Sequence, residues 1–100
     1  MTQRLEAFQP LEDKQVKMYT CGPSIYQLPH IGNYRTFLYE DILQRYLEYL
    51  DYKVERVLNI TDVEDKAIEE AEKEDVTLKK LTERNAKIFL EELKLSLIHI

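Results

Sequence analysis

Apolar and polar residues alternate along Val16-Lys17-Met18-Tyr19-Thr20-Cys21, with β-branched and aromatic side chains among them. That period of two predicts a strand with one face turned inward. Residues 1–15 are mixed and polar, are interrupted by Pro10, and read as an extended lead-in suited to weak pairing at a sheet edge. Past Gly32 the period changes. Leu38, Ile42, Tyr46 and Tyr49 form one helical row and Tyr39, Leu43 and Leu50 an adjacent one, which predicts an amphipathic helix over Asn33 to Leu50. Asp51-Tyr52 makes a short turn, and Tyr52 to Ile60 reads as a second strand carrying Val54 and the Val57-Leu58 pair.

A strand, a helix and a strand with short connections make the βαβ unit of a parallel α/β sheet, with a right-handed crossover. Ligands in such sheets sit outside the carboxyl ends of the strands. Thr20 to Asn33 and Asn59 to Asp65 should therefore converge there. From Thr61 the chain is helical and charged, through Ala67, Ile68 and Ala71, until Glu72-Lys73-Glu74-Asp75 breaks the apolar rhythm. Thr61 and Glu64 fit the S/T-x-x-E capping box. A further helix is expected from about Thr77, with Leu78, Leu81, Ile88, Phe89 and Leu93 on one face and Glu83 and Lys87 forming an i,i+4 pair. The apolar ending Leu95-Ser96-Leu97-Ile98-His99-Ile100 suggests a chain cut short.

Composition narrows the class. The 100 residues make a single domain, and the 44% apolar and 33% charged fractions fit a soluble globular protein. No apolar run approaches the ~18 residues of a membrane span. Met1 to Glu6 contain no apolar signal core, which argues against secretion. The lone cysteine excludes an internal disulfide and suits a reducing cytoplasm. A net charge of −5 leaves no overall basic footprint, so any RNA-binding surface is small or lies elsewhere.

Candidate chemistry gathers in Cys21 to Asn33, which holds the only cysteine, both glycines and two of the three prolines. His30 and Asn33, three residues apart at a helix mouth, can present donors to polyphosphate, while Gly32 allows close backbone approach. The plainer reading has Asn33 as helix cap, Gly32 as turn and His30 as a loop residue. Cys21, at a strand end beside Gly22, is either a metal ligand or nucleophile or a small buried apolar residue. No close Cys/His pair of familiar zinc spacing accompanies it. Asp62, Glu64 and Asp65 either bind a cation or form a solvated acidic first turn. Most of the seven tyrosines read as amphipathic residues at the edge of the core.

Taken together, Val16 to Tyr26, His30-Ile31-Gly32-Asn33-Tyr34-Arg35-Thr36-Phe37, Arg45-Tyr46-Leu47-Glu48-Tyr49-Leu50 and Asn59-Ile60-Thr61-Asp62 resemble the start of the cysteinyl-tRNA synthetases. The likeness runs from about Val16 to Leu95. The cysteine ligase of mycothiol synthesis shares the same opening. The resemblance implies a class I, Rossmann-like parallel sheet of which this chain is the first βαβ half, with residues 16–100 forming the N-terminal half of the catalytic domain. It implies ATP with Mg2+ and cysteine as substrates, a cysteinyl-adenylate, and transfer to tRNA(Cys) through regions outside this chain. His30 and Asn33 would be the catalytic and ATP-binding ends of the HIGH signature, with Gly32 beside ATP. Cys21 would be a ligand to Zn2+, and Gly22, Ser24 and Thr61 would line the cysteine pocket.

Ser24 stands where that family more often has Thr, and Glu64 where Asp is expected. The family's other zinc ligands, its KMSKS-like loop and its tRNA-binding domain lie beyond the first hundred residues. The resemblance therefore implies half of an active site in a cytoplasmic enzyme. A non-catalytic module binding a nucleotide or a partner protein is the contrasting expectation.

Overall fold

A computed structural model of the chain describes residues 3–98; His99 and Ile100, at the end of the apolar tail, lie outside them. Five elements follow in order: β1 (Gln15–Thr20), α1 (Ile31–Tyr49), β2 (Lys53–Leu58), α2 (Asp65–Lys73) and α3 (Leu78–Leu95). β1 and β2 pair in parallel, from Gln15 opposite Lys53 to Thr20 opposite Leu58. This is the βαβ unit that the alternation predicts. Each strand is a little displaced or shorter than expected, and α1 starts two residues earlier than Asn33.

The α1–β2 turn is closed by its own backbone. Asp51 takes a left-handed φ of 63°, which Asp tolerates better than most residues. The amide of Tyr52 then donates to the Leu47 carbonyl at 3.0 Å. That fold-back starts β2 three residues after the helix and holds the crossover short.

Along β1 and β2 burial alternates, so Val16, Met18 and Thr20 share the inner face with Val54, Arg56 and Leu58. The helix above them differs from its expected amphipathic arrangement. Leu38, Ile42, Tyr46, Tyr49, Tyr39, Leu43 and Leu50 are all exposed, while Phe37 and Asp41 are the buried residues of α1. Polar pairing fixes this rotation. Arg56, with its side chain 1% exposed on the sheet, donates to Glu40 Oε2 at 2.8 Å and to Thr20 Oγ1 at 3.3 Å. A guanidinium so deeply desolvated demands a carboxylate, and Glu40 can meet it only if that side of α1 faces the strands. The tyrosines divide: Tyr19, Tyr39, Tyr46 and Tyr49 are exposed, while Tyr26, Tyr34 and Tyr52 are half-buried.

The core lies where α1 meets α3. Phe37, Phe89, Leu93 and Ile98 pack together, with Tyr34, Leu58 and Ile60 against them. The Phe37 and Phe89 rings meet edge-on at 5.6 Å, a favoured aromatic geometry. The Tyr34 hydroxyl donates to Glu92 across the same seam. Ile98 thus gives part of the apolar tail a structural place. α3 begins as expected, capped by Thr77 Oγ1, which accepts from the Lys80 amide at 3.2 Å. Glu83 pairs with Lys79 at 3.7 Å rather than with Lys87.

The Thr61–Glu64 capping box does not form. α2 begins at Asp65 with Glu64 as its cap residue, whose side chain makes no capping bond, because Thr61 is drawn into pairing with the loop after β1. The chain exposes 7971 Å², against about 6,000 Å² for a compact monomer of its mass. Its radius of gyration is 16.7 Å, against about 13 Å for a compact 100-residue domain. The two-stranded sheet thus leaves much apolar surface uncovered.

Candidate functional site

Beyond Thr20 and Leu58 the two strands diverge, yet their backbones stay tied. The Asn59 amide donates to the Thr20 carbonyl at 3.3 Å, and the Gly22 amide donates to Asn59 Oδ1 at 2.8 Å. Parallel pairing then resumes. Thr61 donates its amide to the Pro23 carbonyl at 3.1 Å, its carbonyl accepts from the Ile25 amide at 3.0 Å, and Ser24 and Thr61 form a bridge. A Cβ on Gly22 would stand 1.8 Å from the Asn59 carbonyl oxygen. Only glycine lets the chains pass so closely.

Gly22, Ser24 and Thr61, expected on one pocket, are therefore brought together by backbone pairing. Asn85, absent from the sequence reading, secures them from below. It is 2% exposed, and its Nδ2 donates to the Ile25 carbonyl at 2.8 Å. A buried amide on an otherwise apolar helix face is the one sequence signal that could have marked it.

The loop continues through Pro29 to α1, where the expected roles are rearranged. His30, not Asn33, is the N-cap, and its Nδ1 accepts from the Gly32 amide at 3.0 Å. The His30 amide donates in turn to Asn33 Oδ1 at 3.0 Å. This reciprocal arrangement satisfies amides that a helix start leaves open. Gly32 serves it directly, since a Cβ there would come within 2.7 Å of His30 Cε1. The capping and chemical readings of this string are thus compatible. Each side chain uses its acceptor in the cap. With Nδ1 accepting, the proton of a neutral His30 ring sits on Nε2, and Asn33 retains its Nδ2 donors.

A cavity of about 270 Å³ opens between these segments. His30, Asn33, Gly22 and Ser24 line it together with Glu64 and Lys66 from the start of α2. This volume sits at the small end of ligand sites.

Cys21 lies at the mouth of the strand ends. It is exposed, which removes the reading of a buried apolar residue. Its thiol reaches only the Gly22 carbonyl, at 3.6 Å. Among the described residues no group of three His, Cys, Asp or Glu side chains could hold a metal ion, and Asp62, Glu64 and Asp65 form none. Cys21 can offer one thiolate, and the described residues do not complete a zinc site around it. No helix among the described residues is long and apolar enough to cross a membrane.

Comparison with known proteins bears on this geometry. The family model described as "tRNA synthetases class I (C) catalytic domain" matches residues 7–98. The Cysteine--tRNA ligase of Koribacter versatilis (strain Ellin345) is 47% identical over 89 residues, covering 89% of this chain and 18% of the relative. That of Methanosarcina mazei is 48% identical over 84 residues, covering 84% of this chain and 18% of the relative. That of Pyrococcus furiosus is 45% identical over 94 residues, covering 94% of this chain and 20% of the relative. The chain spans about a fifth of the length of these curated relatives.

Proposed function

The chain belongs to the family of class I (C) tRNA synthetase catalytic domains, and from that premise we propose that it is the N-terminal part of a cysteine--tRNA ligase. In this reading residues 16–100 supply the half of the catalytic domain that holds ATP and cysteine, and residues 1–15 are its lead-in. The observation that supports it is the cavity that Gly22 and Ser24 line together with His30 and Asn33; Thr61 is not among its lining residues and is joined to it through its pairing with Ser24.

The reaction is adenylation. A carboxylate oxygen of cysteine attacks the α-phosphorus of ATP, the bond from that phosphorus to the bridging oxygen breaks, and pyrophosphate departs with the electron pair. Negative charge shifts toward the leaving oxygens, so donors fixed in advance lower the barrier. His30 Nε2 and Asn33 Nδ2 are suited to this because the cap has already used their acceptors and locked their orientation. Gly22, Ser24 and Thr61 hold the amino acid, with Gly32 on the ATP side. The cysteinyl group then passes to tRNA(Cys) through parts of the protein outside this chain, in the cytoplasm.

Zinc belongs to the same proposal only as far as Cys21 reaches. When bound it would take a substrate thiolate, a soft ligand that a serine hydroxyl cannot match, and its other ligands would come from outside the described residues.

Cysteine-dependent exchange of labelled pyrophosphate into ATP, measured in the full-length polypeptide carrying this sequence, tests the reading. His30→Asn retains a good capping residue and should keep stability while slowing exchange about 100-fold. Cys21→Ser should abolish cysteine-dependent exchange. Exchange supported by another amino acid, or left intact in both variants, refutes the proposal.

A further inference from the structure

Lys66 is the one lysine or arginine lining the strand-end cavity, where it joins His30, Asn33 and Ser24. It is the second residue of α2. That is the positive end of a helix dipole, where a cation is disfavoured, so its position works against local helix stability. No ion pair with a carboxylate offsets this among the described residues. Its Nζ instead lies 5.8 Å from the centre of the Tyr26 ring, within the range of a cation–π contact. Tyr26 lines the same cavity.

Lys66 is exposed and Glu64 lines the cavity beside it, so among the lining side chains Lys66 is the lysine ammonium that faces an incoming anion. We propose that Lys66 is a polyphosphate-binding residue of this site, held over Tyr26 to contact the phosphate chain of ATP from the α2 side while His30 and Asn33 contact it from α1. The inference rests on the ATP reading above and adds to it a residue that the two-loop convergence alone did not assign. A lysine ammonium suits the task because it binds phosphate oxygens as a compact point charge.

Calorimetric titration of the full-length polypeptide with ATP and, separately, with adenosine tests it. Lys66→Met should weaken ATP roughly tenfold and leave adenosine unchanged, Lys66→Gln should do the same, and Lys66→Arg should restore most of the ATP affinity. Equal ATP affinity in wild type and Lys66→Met, or parallel loss of ATP and adenosine, overturns the role of Lys66 while leaving the ATP reading standing. A wild-type protein that binds neither ligand overturns the ATP reading, and Lys66 falls with it.

Discussion

The strand-end loops and the outer flank of α1 are neighbours in the chain with opposite characters. In the loops, the backbones of Thr20 to Ile25 and Asn59 to Thr61 bond to one another and Asn85 seals the underside, so few conformations remain. On the flank, Leu38, Tyr39, Ile42, Leu43 and Tyr46 lie exposed, and Leu38, Tyr39 and Ile42 line a shallow groove. The candidate site is framed by polar and backbone pairing within the described residues. The flank carries apolar surface that nothing in the described residues covers. Chemical definition and hydrophobic burial have thus been placed in different parts of one βαβ unit.

Substitutions in the two regions should diverge in proportion. Gly22→Ala forces a Cβ against the Asn59 carbonyl, where backbone must move, and should destabilise by about 3 kcal/mol, read as a lower urea midpoint. A loss below about 0.5 kcal/mol would mean that the strand ends are looser than described. Asn85→Ala leaves the buried Ile25 carbonyl without its donor and should cost about 2 kcal/mol, with amide exchange accelerating in the Cys21–His30 loop before the rest of the chain.

Tyr34→Phe, at the seam between α1 and α3, should cost about 1 kcal/mol near neutral pH and also change the response to alkali. Burial, followed by the hydrogen bond to Glu92 and its charge, raises the Tyr34 hydroxyl well above the ordinary tyrosine value. A raised folded-state value gives stability that is whole below about pH 10 and is lost as the pH climbs beyond it. Stability of the wild type should therefore fall more steeply above pH 10 than that of Tyr34→Phe; parallel curves would remove the Glu92 contact from the fold. Ile42→Gln, on the flank, should change stability by less than about 0.5 kcal/mol. A loss of 2 kcal/mol or more there would erase the contrast.

The same division governs what the sequence made legible. Local rules located both strands, the long helix, the start of the last helix near Thr77 and the convergence of the two loops, because period and turn chemistry act over a few residues. They misplaced the Thr61–Glu64 capping box, since Thr61 satisfies its backbone with Pro23 and Ile25, partners nearly forty positions away. They also pointed to the wrong side of α1, since the apolar rows of Leu38, Ile42, Tyr46 and Tyr49 and of Tyr39, Leu43 and Leu50 lie exposed. The side that turns inward depends on Arg56 meeting Glu40 across the sheet, and a mixed Glu, Asp and Gln stripe does not resemble a buried face. His30 was recognised as a candidate for chemistry but not as the cap, because histidine is not among the usual capping residues. Asn85 went unnoticed as a polar residue within an α3 stripe that was otherwise read as apolar.

The most direct test of the strand-end site is a titration of the isotopically labelled chain with a non-hydrolysable cysteinyl-adenylate analogue, followed by amide chemical shifts. Perturbations should gather in Cys21 to Asn33 and in Asn59 to Lys66, with Leu38 to Tyr49 left unmoved beyond the first turns of α1. Shifts confined to the α1 flank, or none at saturating analogue, would contradict a cysteine-and-ATP half-site at the ends of β1 and β2.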